Sequence, residues 1–576
     1  MTIRYIFIFF IPVLLFSQDE KLRIETIDVF KEYQPSISNS IKISSQPIFN
    51  DTLKTKVVSY KSILEKKINF SAPPSSFLFP KFRFQPVNDN IKKYFSIDFG
   101  SHTFFKTKFH YTNGLSVKHN SGFYLEHVSE DMRLTSPHYK KINGEALNMF
   151  KIYSSRFLNN KIFKTSLSLK RNTGLYWGGL EDLSIDDIVD YRVNNISLDM
   201  NLKNTFDKRF FNFFDMKLSS ISNNFGRKEL SIESSFDLSF QHLLRTYSFF
   251  FSTQITQSST DDINTLALLH HQLVSDNESI MFANGIDDAS DMLFHSAFGL
   301  NGNRGLDYYL GIHLDYASKS GESNPEMMCF PSIVLTKDIN TKKRIEFILK
   351  KELVYNSLLK LHHNLPYIDP YYKNSFSRNF ITSLTFNNVF HKNVTFYGDL
   401  NYQLISDKIV PFLKTDWQVE LEDWEGKYMT PLSIFLSEFH GFNFHSSISF
   451  SESIYELILS ADFNMMKSSD YVDLQLIPKS KFSGLLKLNL FKDISLFSNV
   501  YYVGKRDVLR LNPISSELEQ YNIDSYLDVN LLINYHYKNF IFSLDCKNLL
   551  AKELTFYDGF YDDDGRKVRL GFFYKF

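Results

Sequence analysis

Residues 527–547, LDVNLLINYHYKNFIFSLDCK, carry the pattern that decides the predicted fold. Apolar and aromatic residues alternate with mostly polar ones from Leu527 to Tyr537, and again from Phe540 to Cys546. Successive side chains of a β-strand point to opposite faces, so each run predicts a strand with one apolar face and one largely polar face. Lys538 and Asn539 lie between the runs as a two-residue turn, and the stretch therefore predicts a β-hairpin.

The same alternation recurs from residue 93 onward, for example at 163–170, 196–203 and 230–240. The apolar faces extend over about 9–11 residues, the length of a tilted strand that crosses a bilayer. The connections between runs come in two sizes, which alternate along much of the chain. The short ones are at 158–161, 206–209, 340–343, 390–393 and 491–493, and the long ones are at 130–146, 176–192, 356–376, 406–428 and 551–565.

Short turns at one end and long loops at the other are typical of outer-membrane β-barrels. The predicted fold is therefore all-β, a transmembrane antiparallel outer-membrane β-barrel. A soluble sandwich or propeller also alternates, but its strands average about 5–6 residues and this chain shows no blade repeat. Residues 93–576 hold about 20–24 candidate strands. We predict 22, with 14–18 as the alternative if several are loop hairpins; 260–300 and 410–445 are the ambiguous regions.

Composition excludes several other classes. The 576 residues include 64 Lys and Arg and 64 Asp and Glu, so the net charge of zero argues against the basic face of a nucleic-acid binder. No apolar run reaches about 18 residues, which excludes a helical membrane protein. The two cysteines, Cys329 and Cys546, exclude a disulfide scaffold. The 58 Phe and 32 Tyr indicate that many rings are buried or anchored without a long apolar segment.

The N-terminal part is predicted to lead the chain out of the cytoplasm. Residues 1–17 combine Arg4 with the apolar run Tyr5–Phe16 and are expected to be a signal peptide. Residues 18–92 contain no Gly and six Pro, which favours an extended periplasmic segment ahead of a barrel at 93–576. Within it, Glu25, Thr26, Ile27, Asp28, Val29 and Phe30 form a β-prone run. Such a run can add as a strand to the sheet edge of a partner, or can be an ordinary linker strand.

The C-terminal run has the alternation of a final barrel strand. Val568, Leu570, Phe572, Tyr574 and Phe576 form its apolar face, and Phe576 is the last residue. We predict that this strand is recognised by the barrel-assembly machinery.

Both ends of the chain resemble TonB-dependent receptors. Residues 548–576 are similar to the last hairpin of those receptors, through Asn548, Leu549, Lys552, Gly565, Gly571, Tyr574 and Phe576. The run Glu25–Phe30 resembles a TonB box, and 29–43 resembles the box-to-plug junction of a plug-poor, receptor-like group of Bacteroidetes. His127–Ser129 and Tyr176–Gly179 lie where similar pieces are expected in that group. The resemblance implies an outer-membrane receptor with TonB as its energising partner.

One feature departs from the receptor pattern. A receptor plug is a Gly-rich domain of well over a hundred residues, whereas 18–92 is Gly-free and too short to be a full plug. A barrel of 22 strands has a lumen wide enough to need an obstruction. Three alternatives remain open for the lumen. The N-terminal segment together with inward loops obstructs it, a partner protein obstructs it, or the pore is open.

Candidates for chemistry are few. His127 and Ser129 share one strand face, as the base and nucleophile of outer-membrane phospholipases do, but no third member can be assigned. The pairs His270–His271 and His362–His363 put adjacent side chains on opposite faces, so neither forms a two-ligand metal site alone. Asp562, Asp563 and Asp564 suit a solvated turn better than a Ca²⁺ site. We predict no enzyme activity, no cofactor and no metal.

Two functions remain open. The first is energised uptake of an unknown ligand across the outer membrane. The alternative is a passive pore or a scaffold subunit of an outer-membrane assembly or secretion complex. Outer-membrane lipid is an expected partner in both cases, as are other outer-membrane or periplasmic subunits in the second.

Overall fold

The computed structural model describes the chain from Lys93 to Phe576 with gaps. The described residues are 93–113, 119–131, 144–158, 160–175, 190–205, 210–224, 226–242, 245–260, 289–303, 305–319, 325–357, 361, 374–391, 393–414, 419–420, 428–429, 432–468, 478–491, 493–511, 518–552, 554–557, 560–563 and 565–576. All of them belong to one of the two compact units of the chain, Asn69–Phe576.

Twenty-two strands of the described chain form a barrel. They are β1 (Lys93–Gly100), β2 (Phe105–Thr112), β3 (His119–Glu130), β4 (Glu145–Leu158), β5 (Lys161–Leu175), β6 (Asp190–Asn204), β7 (Phe211–Asn223), β8 (Arg227–His242), β9 (Arg245–Thr260), β10 (Ala289–Asn303), β11 (Asp307–Ser318), β12 (Glu326–Asn340), β13 (Lys343–Asn356), β14 (Ser375–His391), β15 (Val394–Lys414), β18 (Leu432–Ser451), β19 (Tyr455–Ser468), β20 (Ser480–Asn489), β21 (Ile494–Val503), β24 (Tyr526–Tyr537), β25 (Phe540–Lys547) and β28 (Lys567–Lys575).

Each barrel strand pairs antiparallel with the next, and the last closes on the first. Phe95 of β1 lies opposite Phe109 of β2 on one side and Tyr574 of β28 on the other. Closure gives every barrel strand a paired neighbour on both sides, so no strand is an open edge over its whole length, as a bilayer requires. The predicted barrel and its 22 strands are confirmed. Because the number is even, β1 starts and β28 ends at the same end of the barrel.

The two ends differ as predicted. At the end where β1 starts, here called the inner end, connections are two to six residues long. At the opposite, outer end they reach 28 residues, between β9 and β10, although the β1–β2 and β7–β8 turns are short there too. Six further strands form hairpins within outer connections: β16 (Val419–Glu420), β17 (Tyr428–Met429), β22 (Arg506–Leu511), β23 (Leu518–Ile523), β26 (Leu554–Tyr557) and β27 (Phe560–Asp563).

Two details of the prediction were wrong. The predicted long connection at 406–428 begins too early, because β15 continues to Lys414 and has 21 residues. Many other strands have 14–16 residues rather than 9–11. The extra residues pair in the same way as those below them, because backbone pairing continues past the apolar belt when both neighbouring strands are long.

The exterior of the barrel is apolar and its interior is polar. On β8, Leu230 and Ile232 are 48% and 37% exposed, whereas Arg227, Glu229 and Ser231, which belong to the alternate set, are at most 3% exposed. The period-two pattern predicts this alternation of exposed apolar and buried polar side chains for a barrel with lipid outside. No helix among the described residues is long and apolar enough to span a membrane.

Tyrosine rings cover glycines on the inner wall. A Cβ on Gly122 would lie 2.6 Å from the Oη of Tyr153, its partner on β4, and one on Gly174 would lie 2.6 Å from the Tyr191 ring. A Cβ on Gly299 would lie 2.0 Å from the ring of Tyr309. The rings fill the space that the missing side chains leave, which covers the exposed backbone of each glycine.

The wall is split in its outer half between β12 and β13. Their pairing extends only from Asn340–Lys343 to Ile333–Leu349, so the outer seven residues of each strand, 326–332 and 350–356, pair with the other neighbour alone. Pro331 lies in β12 just above the point of separation. Proline has no amide hydrogen to donate and is found at strand edges, so its position fits a free edge.

Candidate functional site in the barrel lumen

The inner wall presents charged and polar side chains along most strands, so the lumen is the candidate functional site. Lys108 of β2 forms an ion pair with Glu126 of β3 at 3.2 Å, and Tyr124 donates to the same carboxylate at 2.6 Å. His110 and Tyr153 are joined by a hydrogen bond of 2.8 Å. Both charge signs occur on this part of the wall.

Glu130, at the outer end of β3, holds the closing strand. Arg569 donates to both of its carboxylate oxygens at 2.7 and 2.8 Å, and the Nζ of Lys567 lies 3.1 Å away. The Arg569 guanidinium also lies 3.7 Å from the centre of the Phe104 ring. This cluster connects β28 with β3 across the short β1–β2 turn, and bidentate charge-assisted bonds of this kind are the strongest type.

A histidine pair lies on the inner wall of β10 and β11. His295 contacts the carboxylate of Asp315 through Nδ1, and its Nε2 lies 3.3 Å from Nδ1 of His313. The His313 ring stacks on Phe330 with centroids 5.9 Å apart. The described residues contain no group of three His, Cys, Asp or Glu side chains arranged to hold a metal ion. The pair is therefore a hydrogen-bonding and aromatic surface of the wall.

The outer parts of β13 and β14 fold inward across the lumen side of β10–β12. Tyr355, 2% exposed, donates to Asp291 on β10 at 2.8 Å. Leu353, Tyr355 and Phe376 form a cluster with Ala317 on β11, and Leu293 and Met328 pack against it. Asp291, Leu293, Ala317 and Met328 all belong to the inward-facing sets of their strands, so the contact is made inside the barrel. We call this part of the hairpin, 350–357 and 374–378, the inner flap.

An ion pair fastens the inner flap to the free edge of β12. Arg378 of β14 donates to both carboxylate oxygens of Glu326, at 2.5 and 3.2 Å, and lies 3.4 Å from Asp407. Lys319 and Lys351 lie above the Phe376 and Phe330 rings at 5.7 Å. The flap therefore narrows the outer mouth of the lumen and presents carboxylates, amides and aromatic rings around it.

The sequence-predicted residues fall in three places. The TonB-box-like residues Glu25–Phe30 lie outside the described residues. Val568, Leu570, Phe572 and Tyr574 lie in β28 as predicted, with Val568 and Leu570 46% and 48% exposed on the exterior, and Phe576 follows the strand. The Phe576 amide donates to Lys93 O at 3.1 Å. Recognition of this strand by assembly machinery stays a prediction.

The other chemical candidates do not form a site in the lumen. His127 and Ser129 share the exterior face of β3, and His127 Nδ1 donates to Asn148 Oδ1 at 2.8 Å. No hydrogen bond joins Ser129 to His127 within the part of the chain that the structure describes. The two histidine pairs, 270–271 and 362–363, lie outside the described residues, as does Asp564, and the structure describes no side chain of Asp562 or Asp563.

Sequence reasoning missed the inner flap and the split beside it. The sequence signal for the split was Pro331, which interrupts an otherwise alternating run. A proline inside a strand indicates a free edge, although β12 is followed and preceded by strands that could pair with it along its whole length.

These features define an outer-membrane β-barrel of 22 strands with a polar lumen. Neither a protein-family model nor a curated protein matches the chain. Among solved structures, the FrpB iron transporter of Neisseria meningitidis is similar with a TM-score of 0.64 at 10% identity, covering 85% of this chain and 82% of that one. The siderophore receptor PirA of Acinetobacter baumannii has a TM-score of 0.62 at 10% identity, covering 85% and 81%. FpvA of P. aeruginosa, in complex with a heterologous pyoverdine and iron, has a TM-score of 0.59 at 12% identity, covering 84% and 72%. At these identities the likeness shows the fold.

Proposed function

We propose that the protein is a TonB-energised receptor that takes a ligand across the outer membrane. The observation that carries the proposal is the closed 22-stranded barrel with a polar inner wall, the fold it shares with an iron transporter and two siderophore-related proteins. The TonB-box-like run Glu25–Phe30 supports the choice of energy source. The inner flap supports uptake over free diffusion, because it narrows the outer mouth.

The test is binding between the full-length protein in detergent and the periplasmic domain of the host's TonB. Strand addition uses the backbone amides of the added segment, so Ile27→Pro removes a donor from the box-like run. We expect Ile27→Pro to weaken binding at least about tenfold, which corresponds to ~1.4 kcal/mol. Ser38→Pro, in the same Gly-free segment but outside the run, is the matched control and is expected to bind as the unchanged protein does.

Equal binding by the unchanged protein and Ile27→Pro, or no binding by either, would contradict an energised receptor. The passive pore and the scaffold subunit would then be separated by conductance in planar bilayers. A pore conducts steadily without TonB, whereas a scaffold subunit does not conduct and copurifies with a stable companion.

A further inference from the structure

The exterior of the barrel carries a groove of about 620 Å³ that spans β2–β6. Two rows of side chains in register line it. Leu125, Phe150 and Leu169 form part of the lower, apolar row, and His127, Asn148 and Arg171 form part of the upper, polar row. Leu125 and Leu169 are 42% and 39% exposed on the lipid side. On each strand the residues of the two rows are two positions apart, so both rows lie on this exterior face. The groove is therefore amphiphilic and faces the membrane.

The polar row marks the outer edge of the apolar belt. On β4, Asn148 and Arg156 are both exposed on the exterior face, and they are eight residues apart. That separation is about 27 Å along the strand, or about 20 Å of height at the usual tilt of about 40°, close to the height of a barrel's apolar belt. His127 lies near the outer end of β3, so its row lies at the headgroups of the outer leaflet.

The polar row offers hydrogen-bond donors and a cation. Arg171 is exposed, and no carboxylate contacts its guanidinium in the described part of the chain. Because Asn148 Oδ1 accepts from His127 Nδ1, the amide NH₂ of Asn148 stays directed away from that bond and can donate to a ligand. A guanidinium with an adjacent amide matches a phosphate group, and the apolar row below it matches acyl chains.

We propose that this groove binds a phosphorylated, multiply acylated lipid of the outer leaflet, of the lipopolysaccharide class. Arg171 and Asn148 contact the phosphate, and the chains lie along Leu125, Phe150 and Leu169. The positive charge of Arg171 favours an anionic lipid. The position of the polar row at the outer edge of the apolar belt indicates a lipid of the outer leaflet. The site is on the opposite face of the wall from the lumen, so it is independent of the uptake function.

The test uses the full-length barrel, freed of lipid in mild detergent and titrated with phosphorylated lipid A by native mass spectrometry. The comparison ligands are the same lipid without its phosphates and inorganic phosphate alone. We expect the unchanged protein to bind one phosphorylated lipid tightly, and Arg171→Gln to bind it at least about tenfold more weakly. Arg156→Gln is the matched control, since Arg156 is an exposed exterior arginine at the other edge of the belt, and it is expected to bind as the unchanged protein does.

Two results would overturn the proposal. One is equal affinity for the lipid with and without phosphate, and the other is equal loss of binding in Arg171→Gln and Arg156→Gln. Binding of inorganic phosphate as tight as that of the lipid would also contradict it, because the apolar row would then contribute nothing. Retained heat-modifiable migration in gels shows that each variant is folded.

Discussion

At the residue scale, the inner wall contains pairs in which a tyrosine ring fills the space beside a glycine, which has no side chain of its own. Tyr153 is the clearest case, because its ring lies over Gly122 while its hydroxyl bonds to His110. The glycine, the ring and the histidine occupy three neighbouring strands, β3, β4 and β2. A change at the glycine is therefore expected to propagate across three strands.

Gly122→Ala is expected to destabilise the barrel by about 1–3 kcal/mol. The new methyl group would lie 2.3 Å from the backbone oxygen of Tyr111 and 2.6 Å from Oη of Tyr153, so it strains the β2–β3 pairing and displaces the Tyr153 ring from its bond to His110. The measurement is the urea midpoint of unfolding in lipid vesicles. Gly484→Ala on β20 is the matched control: its Cβ would meet nothing closer than 3.4 Å, and we expect no loss of stability. Equal midpoints for the two variants would contradict a packing role for the tyrosine ring.

Glu130 is the second residue whose removal is informative. Glu130→Gln leaves Arg569 and Lys567, each with a side chain only 11% exposed, without the carboxylate that holds them. Breaking such a pair costs about 3 kcal/mol in the free energy of unfolding. Asp524→Asn breaks the pair with Lys505, where the side chains are 89% and 68% exposed, and is expected to cost less than about 1 kcal/mol. A similar small loss at both sites would show that Glu130 does not stabilise closure.

At the element scale, the inner flap distinguishes this barrel from a simple ring of strands. β13 leaves β12 after Leu349 and follows β14 inward, and the flap packs against the inner faces of β10–β12. Its attachment to the inner wall includes two neutral donors to the Asp291 carboxylate, the Tyr355 hydroxyl at 2.8 Å and the Asn374 amide at 3.5 Å. The Tyr355 hydroxyl is the donor that a conservative substitution can remove without changing the size of the ring.

Tyr355→Phe is expected to loosen the flap without unfolding the barrel. The substitution removes the hydrogen bonds of the Tyr355 hydroxyl with Asp291 and Thr256. Since one hydrogen bond contributes about 1 kcal/mol, we expect local opening to become at least about fivefold more frequent. The measurement is the rate at which an impermeant maleimide labels Ser357→Cys, since Ser357 is 2% exposed, in a background where Cys329 and Cys546 are replaced by Ser.

Tyr316→Phe is the control for the labelling experiment, because Tyr316 is 36% exposed on the exterior of β11. We expect it to leave the labelling rate unchanged. The same rate in Tyr355→Phe as in the unchanged protein would show that the tyrosine does not hold the flap.

At the scale of the whole molecule, the alternating pattern predicted the class of fold, the strand number and the asymmetry of the two ends. It succeeded because lipid outside and polar groups inside impose the same period of two on every strand, as at Leu230 and Ser231. Strand length was underestimated because the pattern fades above the apolar belt while backbone pairing continues, as in β15 up to Lys414.

The inner flap and the groove could not be predicted in the same way. The split between β12 and β13 depends on which residues lie opposite one another, and Leu353 looks the same in sequence whether it faces a neighbour or crosses the lumen. His127 and Asn148 are 21 residues apart and meet only through strand register. Such cross-strand relations are set by pairing over long sequence distances, which a local period does not encode.

The closure of the barrel also has a mechanical consequence. The N-terminal segment continues from Lys93 at the inner end of β1, and β1 has seven register pairs with β2 and seven with β28. Backbone hydrogen bonds lie perpendicular to the strands, so a pull along the axis of β1 loads the bonds on both sides together, in shear, instead of one after another. A force applied to Lys93 along the axis of β1 is therefore resisted by both sets of bonds at once, and the first strand leaves the wall only if both seams shear together.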